Sequence, residues 1–349
     1  MHLTLYIPGL FGPEARFSRE FVPEAPALEV ILSRASRIDP PAGSRHGALS
    51  SLFGLGLAAD ADAPVAAVSR IVDAGEAGAD WWLRADPVHL RADRSGLVLI
   101  DAGEFRLDAR EAQALAADLR GLLAEVGELD APRPDRWYLR LKQPPDLQTR
   151  DLDEVSGRDI RHALPGGAGA PAWHRLLNEI QVRLHSHEIN RLREQRGEAP
   201  VNSVWFWGGG TAPAGMVPIW SRVFGGGVYA EGLARLSCTP YTPRVDQLAA
   251  ALAEPGAERP VLVVLDECAT ALHRQDLHAW SEGIAHLESA WFEPCLRLLR
   301  SRVLRRLDLF TQGFGFRLSP RSLWRIWRRR TPLGQFISGA IAPANDVNT

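Results

Sequence analysis

HEINRLREQRGEAPVNSVWFWGGG (residues 187–210) joins a polar helical repeat to a hydrophobic run within one stretch. The run VNSVWFW (201–207) is aromatic and β-branched and ends at three glycines, as a strand does when it enters a tight turn. PVLVVLD (260–266) and LDLFTQ (307–312) are further apolar runs that alternate with helical segments. This alternation predicts an α/β fold with a mostly parallel sheet that helices cover on both faces, a three-layer core.

The composition excludes several classes of protein. The 349 residues include 40 basic and 42 acidic side chains, a net charge of −2, which argues against a dedicated nucleic-acid binder. The sequence has neither an apolar run long enough to span a membrane nor the basic and apolar regions of a signal peptide. The three cysteines are widely spaced, and Lys142 is the one lysine among the 40 basic residues. We expect a cytoplasmic, bacterial protein from a GC-rich genome, with no membrane span and no nucleic-acid partner.

The chain divides into α/β segments, an α+β unit and a tail. Strand alternation and an amphipathic helix that begins at Asp108 predict a small α+β unit over 81–165, between α/β segments 1–80 and 166–318. The basic C-terminal tail, 319–349, follows. Residues 317–332 hold six arginines, for which we expect a final helix that packs Trp324 and Trp327 and leaves the arginines solvated. A membrane-surface or nucleic-acid role is the alternative.

Three side chains on the first helix of 187–210 suit an anion. His187, Asn190 and Arg193 lie at i, i+3 and i+6, which places them on one side of the helix over two turns. Imidazole, amide and guanidinium groups together can bind phosphate or carboxylate. The alternative is a polar cluster that ends the helix at Gly197.

Two other stretches combine chemically active residues. Asp266 ends an apolar strand, with His273 seven residues later, and such a carboxylate–imidazole pair serves metal binding or acid–base chemistry. The alternative for Asp266 is helix capping. Ser44 and Arg45 follow Gly43 in a turn, where a hydroxyl beside a cation can hold a phosphate. The alternative there is an ordinary loop.

Taken together, these stretches resemble the cofactor-independent phosphoglycerate mutases of the archaeal type. HEINRLREQRGEAPVNSVWFWGGG is similar to the family's H-P-x-N-x-x-R … A-N-x-x-W-x-W-G-x-G stretch, and the similarity continues in order through four further segments: LYIPGLFG (5–12), PAGSRHGALSSLFGLG (41–56), residues 81–105 and LDECATALH (265–273). The resemblance implies an alkaline-phosphatase-like fold with an inserted α+β domain. Degenerate bacterial relatives of the RpfE type, which are regulatory, look closer than the true mutases.

The family's chemistry implies a serine nucleophile and two divalent metal ions, and here Ser44 matches the nucleophile. Asp266 and His273 are the candidate metal ligands, although the family's histidine position is Thr270 and His273 comes three residues late. The remaining ligand positions depart from the family as follows: Pro8 for the first aspartate, Arg45 for the aspartate after the serine, Gln312-Gly313 for a later Asp-His pair, and Asp151–Glu154 without its histidine.

A site that loses most of its ligands loses its metal affinity. We therefore favour a catalytically silent, phosphoglycerate-mutase-like protein that needs no cofactor and binds a phosphorylated small molecule or a protein in a regulatory role. One alternative is an active phosphomutase or phosphohydrolase with a Mn or Zn pair, whose ligands come from Asp266, Glu267, His273 and Asp151–Glu154. Another is an interaction protein that acts through the Arg/Trp-rich tail.

Overall fold

The structure, a computed structural model, describes residues 1–12, 21–58, 61–92, 96–252 and 259–338. The strands are β1 (His2–Tyr6), β2 (Ser36–Ile38), β3 (Trp81–Ala92), β4 (Leu97–Asp101), β5 (Gly127–Arg133), β6 (Arg136–Leu141), β7 (Ser203–Gly210), β8 (Arg222–Phe224), β9 (Tyr241–Thr242), β10 (Val261–Val264), β11 (Arg306–Thr311) and β12 (Phe314–Leu318).

The α-helices are α1 (Pro26–Arg34), α2 (Arg45–Leu52), α3 (Val65–Ala74), α4 (Ala109–Leu123), α5 (Leu152–Val155), α6 (Ala170–His185), α7 (Glu188–Gln195), α8 (Gly227–Leu236), α9 (Leu248–Ala251), α10 (Glu267–His273), α11 (Leu277–Leu287), α12 (Glu293–Arg300) and α13 (Leu333–Ile337). A π-helical segment (Glu288–Phe292) joins α11 to α12, and Ser322–Trp324 form a 3-10 turn. Among these residues, no helix has both the length and the apolar character that crossing a bilayer requires.

Two compact units make up the chain: residues 1–55 with 216–349, and residues 56–215. The first unit is built on a seven-stranded sheet in the order β2-β12-β11-β1-β10-β8-β9. The five strands from β11 to β9 are parallel, whereas β12 and β2 are antiparallel additions at one edge. The predicted α/β fold class with a mostly parallel sheet is confirmed.

The central strands of this sheet are buried on both faces. In β1, Leu3 and Leu5 belong to the main hydrophobic core, while Thr4 and Tyr6, which point to the opposite face, are also buried. All four residues of β10 are likewise buried. Side chains alternate between the two faces of a strand, so burial of every residue requires a layer on each side, as the continuous apolar sequence predicted.

The second unit holds an antiparallel sheet in the order β4-β3-β6-β5, with β7 paired to β3. Helices α4 and α6 supply its core with residues such as Leu119 and Ile180. The Asp108 carboxylate caps α4 by accepting hydrogen bonds from the backbone N–H groups of Arg110 and Glu111, at 2.7 and 2.8 Å. The predicted start of this helix is therefore confirmed.

The strand at 201–207 lies in a different sheet from the one expected. The sequence predicts this strand in the second part of the core, but β7 pairs antiparallel with residues 82–88 of β3, inside the second unit. Phe206 enters that unit's core, whereas the Trp207 indole on the opposite face donates to buried Asp86 at 2.7 Å. Because β3 is twelve residues long, it pairs with both β6 (81–84) and β4 (88–92) along one edge, and β7 occupies the other edge. The unit thus spans 56–215 rather than 81–165.

The C-terminal segment 317–332 also differs from expectation. It forms one 3-10 turn instead of a helix, and Trp324 and Trp327 are each 73% exposed. Arginines hold it to the unit instead: Arg325 and Arg328 donate to the backbone carbonyls of Arg34 and Ala35 at 3.3 and 2.8 Å. The predicted packing of the tryptophans was wrong. Arg321, Arg329 and Arg330 are exposed as expected, whereas Arg325 and Arg328 donate to backbone carbonyls at the end of α1. Residues 339–349 lie outside the described part of the chain.

One buried carboxylate joins the antiparallel edge to the parallel strands. Asp308 in β11 accepts hydrogen bonds from Arg306 on its own strand and from Arg317, its cross-strand partner in β12. Burial alone would raise the pKa of Asp308, but the hydrogen bonds from the two arginines outweigh it and lower the pKa. The carboxylate therefore stabilises the fold once it is ionised.

We expect Asp308→Asn to lower the free energy of unfolding by about 1–3 kcal/mol at neutral pH, the range for hydrogen bonds to charged groups. A lowered folded-state pKa gives a contribution that is present above the unfolded pKa, about 3.9, and is lost as the pH falls through the folded value. The difference between the two proteins should thus shrink in urea unfolding series that are extended into the acid range. Asp246→Asn, in an exposed pair with Arg244, is the control; a difference that does not change with pH would contradict the assignment.

Candidate functional site

The loops after the parallel strands of the first unit place two polar side chains and several glycines at one edge of the sheet. Gly9 follows β1, Asp266 follows β10, Gln312 follows β11, and the glycines 225–227 follow β8. Ligand sites of open α/β sheets lie at this edge, because the loops beyond the strands meet there. The edge is therefore the candidate site.

Arg45 and Asp266 form a two-point ion pair at this edge. The Arg45 Nε atom lies 3.2 Å from Asp266 Oδ1 and its Nη2 atom 2.9 Å from Oδ2, so both carboxylate oxygens accept from one guanidinium. The same Nη2 atom reaches the Gly226 carbonyl at 3.5 Å. The two side chains are 17% and 30% exposed, so the pair is partly shielded from water, and its geometry is that of a strong charge-assisted bond.

Ser44 and His46, the two neighbours of Arg45 in sequence, each contact nearby groups of the protein. Ser44 is the N-cap of α2, and its Oγ accepts from the Gly47 N–H at 3.3 Å. His46 is buried and packs edge-on against Tyr229 with ring centroids 5.2 Å apart. The Tyr229 hydroxyl in turn lies 2.7 Å from Ser50 Oγ. Thus the serine hydroxyl acts as a helix cap, next to a guanidinium that a carboxylate neutralises.

A hydrogen bond between uncharged groups joins the loop after β1 to the residue after β11. The Gln312 side-chain oxygen accepts from the Gly9 N–H at 2.6 Å, and the Gly9 carbonyl accepts from the Trp280 indole at 2.9 Å. Gly9 has φ +76°, and a Cβ there would lie 3.0 Å from the backbone nitrogen of Ala269. Only glycine fits this close approach between the β1 loop and α10.

These side chains do not fit a pair of divalent cations. Pro8 has no donor atom, Gln312 already accepts from the backbone, and both oxygens of Asp266 accept from Arg45. Glu267 pairs with His286 at 2.9 Å, and His273 is the last residue of α10, two helical turns from Asp266. Within the described ranges, no three His, Cys, Asp or Glu side chains are grouped closely enough to hold a metal ion. The predicted ligands Asp266 and His273 therefore lack the further ligands that a metal centre requires.

Sequence reasoning missed Tyr241. Its hydroxyl donates to the Gly227 carbonyl at 3.3 Å, and burial, reinforced by the negative charges of Glu231 and Asp266, raises its pKa to about 12. A tyrosine is already neutral at physiological pH with its ordinary pKa of about 10, and the raised pKa extends that range to higher pH. No local pattern marks it, because its place beside Asp266 depends on the order of β8, β9 and β10 in the sheet.

His187, Asn190 and Arg193 belong to the second unit, and their contacts are those of a helix end. His187 caps α7 through Nδ1, which accepts from the Ile189 N–H at 3.1 Å. Asn190 is buried; its amide donates to the carbonyls of Leu184 and Val201 and accepts from the Val201 N–H.

Arg193 is buried as well. It donates to the Ala199 and Arg106 carbonyls and, at 2.5 Å, to the Glu111 carboxylate. The three nitrogens of its guanidinium thus bind groups of the same unit. These contacts support the structural interpretation of the three residues, not the predicted oxyanion site. Asp151–Glu154, another stretch considered for ligands, lies at the start of α5 in this unit.

Two curated relatives share short stretches with this chain. A probable 2,3-bisphosphoglycerate-independent phosphoglycerate mutase of Geobacter sulfurreducens is 30% identical over 160 residues, which are 43% of this chain and 38% of the relative. The 2,3-bisphosphoglycerate-independent phosphoglycerate mutase of Methanosarcina barkeri is 35% identical over 60 residues, 17% of this chain and 15% of the relative. The matches therefore span less than half of either relative. No protein-family profile matches the chain.

Solved structures resemble the whole chain at low identity. A Pyrococcus horikoshii protein aligns with a TM-score of 0.50 at 12% identity and covers 90% of this chain and 86% of that chain. A cofactor-independent phosphoglycerate mutase of Thermoplasma acidophilum covers 92% and 90% at 16% identity, with a TM-score of 0.43. The α/β fold class and the sequence similarity to 2,3-bisphosphoglycerate-independent phosphoglycerate mutases over these stretches are confirmed.

The structural role of Asn190 predicts that Asn190→Ala destabilises the second unit. The substitution leaves backbone groups of Leu184 and Val201 buried without their partner, at a cost of about 1–3 kcal/mol for each. Chemical denaturation measures the loss, and calorimetric titration with inorganic phosphate should show unchanged binding. Arg191→Ala, in the exposed pair with Glu188 on the same helix, is the control and should shift stability by less than about 0.5 kcal/mol. Full stability together with lost phosphate binding in Asn190→Ala would revive the oxyanion site.

Proposed function

We propose that this chain is a catalytically silent relative of the cofactor-independent phosphoglycerate mutases, in the manner of their RpfE-type regulatory relatives. Its role in the cytoplasm is to bind a phosphorylated small molecule, or a protein that presents such a group, without transferring the phosphate. The Arg45–Asp266 pair carries the proposal, because the guanidinium supplies the positive charge that divalent cations supply in a two-metal phosphotransfer site.

The contact that the structure describes for the Ser44 hydroxyl supports loss of turnover. A serine hydroxyl attacks phosphate only when a base or a metal ion activates it. Here Ser44 Oγ accepts from the Gly47 N–H, and the next residue is an arginine engaged with Asp266. A hydroxyl in this setting can donate to a phosphate oxygen, which is binding and not catalysis.

Electrostatics at the same edge support binding of an anion. Arg45 is the first residue of α2, where backbone N–H groups and the helix dipole favour negative charge. The Asp266 carboxylate now neutralises the guanidinium, so a phosphate must compete with it. Loss of the Asp266 charge should therefore tighten phosphate binding in this protein, whereas in a metal enzyme the loss of a ligand carboxylate would abolish the metal-dependent reaction.

The test uses two variants of the pair and a titration with 3-phosphoglycerate and inorganic phosphate. Asp266→Asn removes a competing full charge and should tighten binding by about tenfold or more, whereas Arg45→Gln should weaken it by a similar factor. Asp118→Asn is the matched control, because Asp118 also accepts two hydrogen bonds from one arginine, Arg183, at 2.7 and 2.5 Å. This control should leave the affinity unchanged.

The active-enzyme alternative predicts the opposite result at the same residue. If Asp266 ligates Mn or Zn, Asp266→Asn abolishes metal-dependent phosphoglycerate turnover, and Ser44→Ala does the same. Elemental analysis of the purified protein should show no stoichiometric Mn or Zn under our proposal. Turnover that requires both Ser44 and Asp266 would overturn the loss of catalysis, and phosphate binding that neither variant changes would overturn the assigned site.

A further inference from the structure

We propose that the segment 317–332 is a docking surface for anionic lipid membranes. The proposal rests on three apolar side chains that are neighbours in sequence, Trp324, Ile326 and Trp327, which are 73%, 74% and 73% exposed. Large apolar side chains that cluster at the surface, unlike scattered ones, mark an interaction site. The proposal does not rest on the function proposed for the Arg45–Asp266 edge.

The segment holds these side chains outward through its arginines. Arg325 donates to Ser36 Oγ at 2.9 Å, Arg328 donates to the Ala35 carbonyl at 2.8 Å, and Arg330 pairs with Glu29 at 3.1 Å. On the downstream side, Leu333 and Phe336 of α13 are buried. The loop is thus fastened at several points, and its exposed tryptophans are presented by an anchored scaffold.

The charge of this region selects an anionic partner. Between Asp308 and Asp346 the sequence contains no acidic residue, while 317–332 contains six arginines. Arg317 and Arg330 pair with Asp308 and Glu29, so the excess positive charge lies on the other four arginines. Arg321 and Arg329 are exposed beside the apolar side chains. Cationic side chains next to an anionic membrane surface each contribute to binding, and salt screens that contribution.

The apolar composition favours a bilayer over a nucleic acid. Tryptophan is enriched where membrane proteins meet the lipid headgroups, and isoleucine gains free energy when it enters the acyl region. A single-stranded nucleic acid would use aromatic rings for stacking but gains nothing comparable from Ile326, which lies between the two tryptophans. The chain as a whole carries a net charge of −2, so the basic character is local to this surface.

The test is co-sedimentation of the full-length chain with vesicles of phosphatidylcholine, with and without phosphatidylglycerol. We expect binding to the anionic vesicles that falls as salt is added, and much weaker binding to the neutral ones. Replacing Trp324, Ile326 and Trp327 by serine should reduce binding at least about tenfold, and Arg321→Ala or Arg329→Ala should reduce it about fivefold each. The control replaces three exposed valines, Val182, Val217 and Val303, by serine and should bind like the wild type.

A second measurement separates insertion from adhesion. Lipids with brominated acyl chains quench a tryptophan only when its ring reaches them, so the wild type should be quenched. The variant with Trp324→Phe and Trp327→Phe should still bind but lose that quenching. Equal binding by the serine variant, absence of binding by the wild type, or binding to oligonucleotides or acidic peptides in place of vesicles would each overturn the proposal.

Discussion

The ion pair between Arg45 and Asp266 sets the charge at the carboxyl edge of the parallel sheet. Asp266 stands directly after β10, and Arg45 begins α2, so the pair joins a loop of the sheet to the start of a helix. Arg45 donates to each oxygen of the Asp266 carboxylate, and its positive charge would repel a cation brought there. The pair therefore leaves this end of the strand with a net charge near zero.

The residues around the ion pair differ from those of a divalent-metal centre. A divalent-metal centre concentrates carboxylates and imidazoles, and the repulsion among them is relieved only by the metal. Here the neighbouring loop ends hold Pro8, a glutamine that accepts from Gly9, and a tyrosine whose pKa burial raises to about 12. None of these three side chains carries a negative charge at neutral pH.

Local patterns allowed prediction of the elements but not of their partners. The apolar runs 260–266 and 307–312, the cap at Asp108 and the position of Asp266 at a strand end all follow from residue type and spacing, and the structure agrees with them. The sheet to which β7 belongs could not be predicted this way, because a buried strand has the same composition in a parallel and in an antiparallel sheet. The helical spacing of Asn190 and Arg193 likewise places them correctly on α7 but does not reveal Glu111, which lies 82 residues earlier in sequence as the partner of Arg193.

Arginine side chains make several of the contacts that the sequence pattern alone could not predict. Arg45, Arg193, Arg325 and Arg328 each look like solvated or ligand-binding cations when the chain is read linearly, yet each donates to a carboxylate or a backbone carbonyl of its own unit. The guanidinium group has five donors in a fixed plane, so it can end a helix, hold a loop and neutralise a carboxylate at once. In the C-terminal segment, Arg325 and Arg328 face the protein, whereas the two tryptophans beside them are exposed. The same side-chain chemistry therefore neutralises a carboxylate at the sheet edge and fastens a loop whose apolar side chains stay exposed.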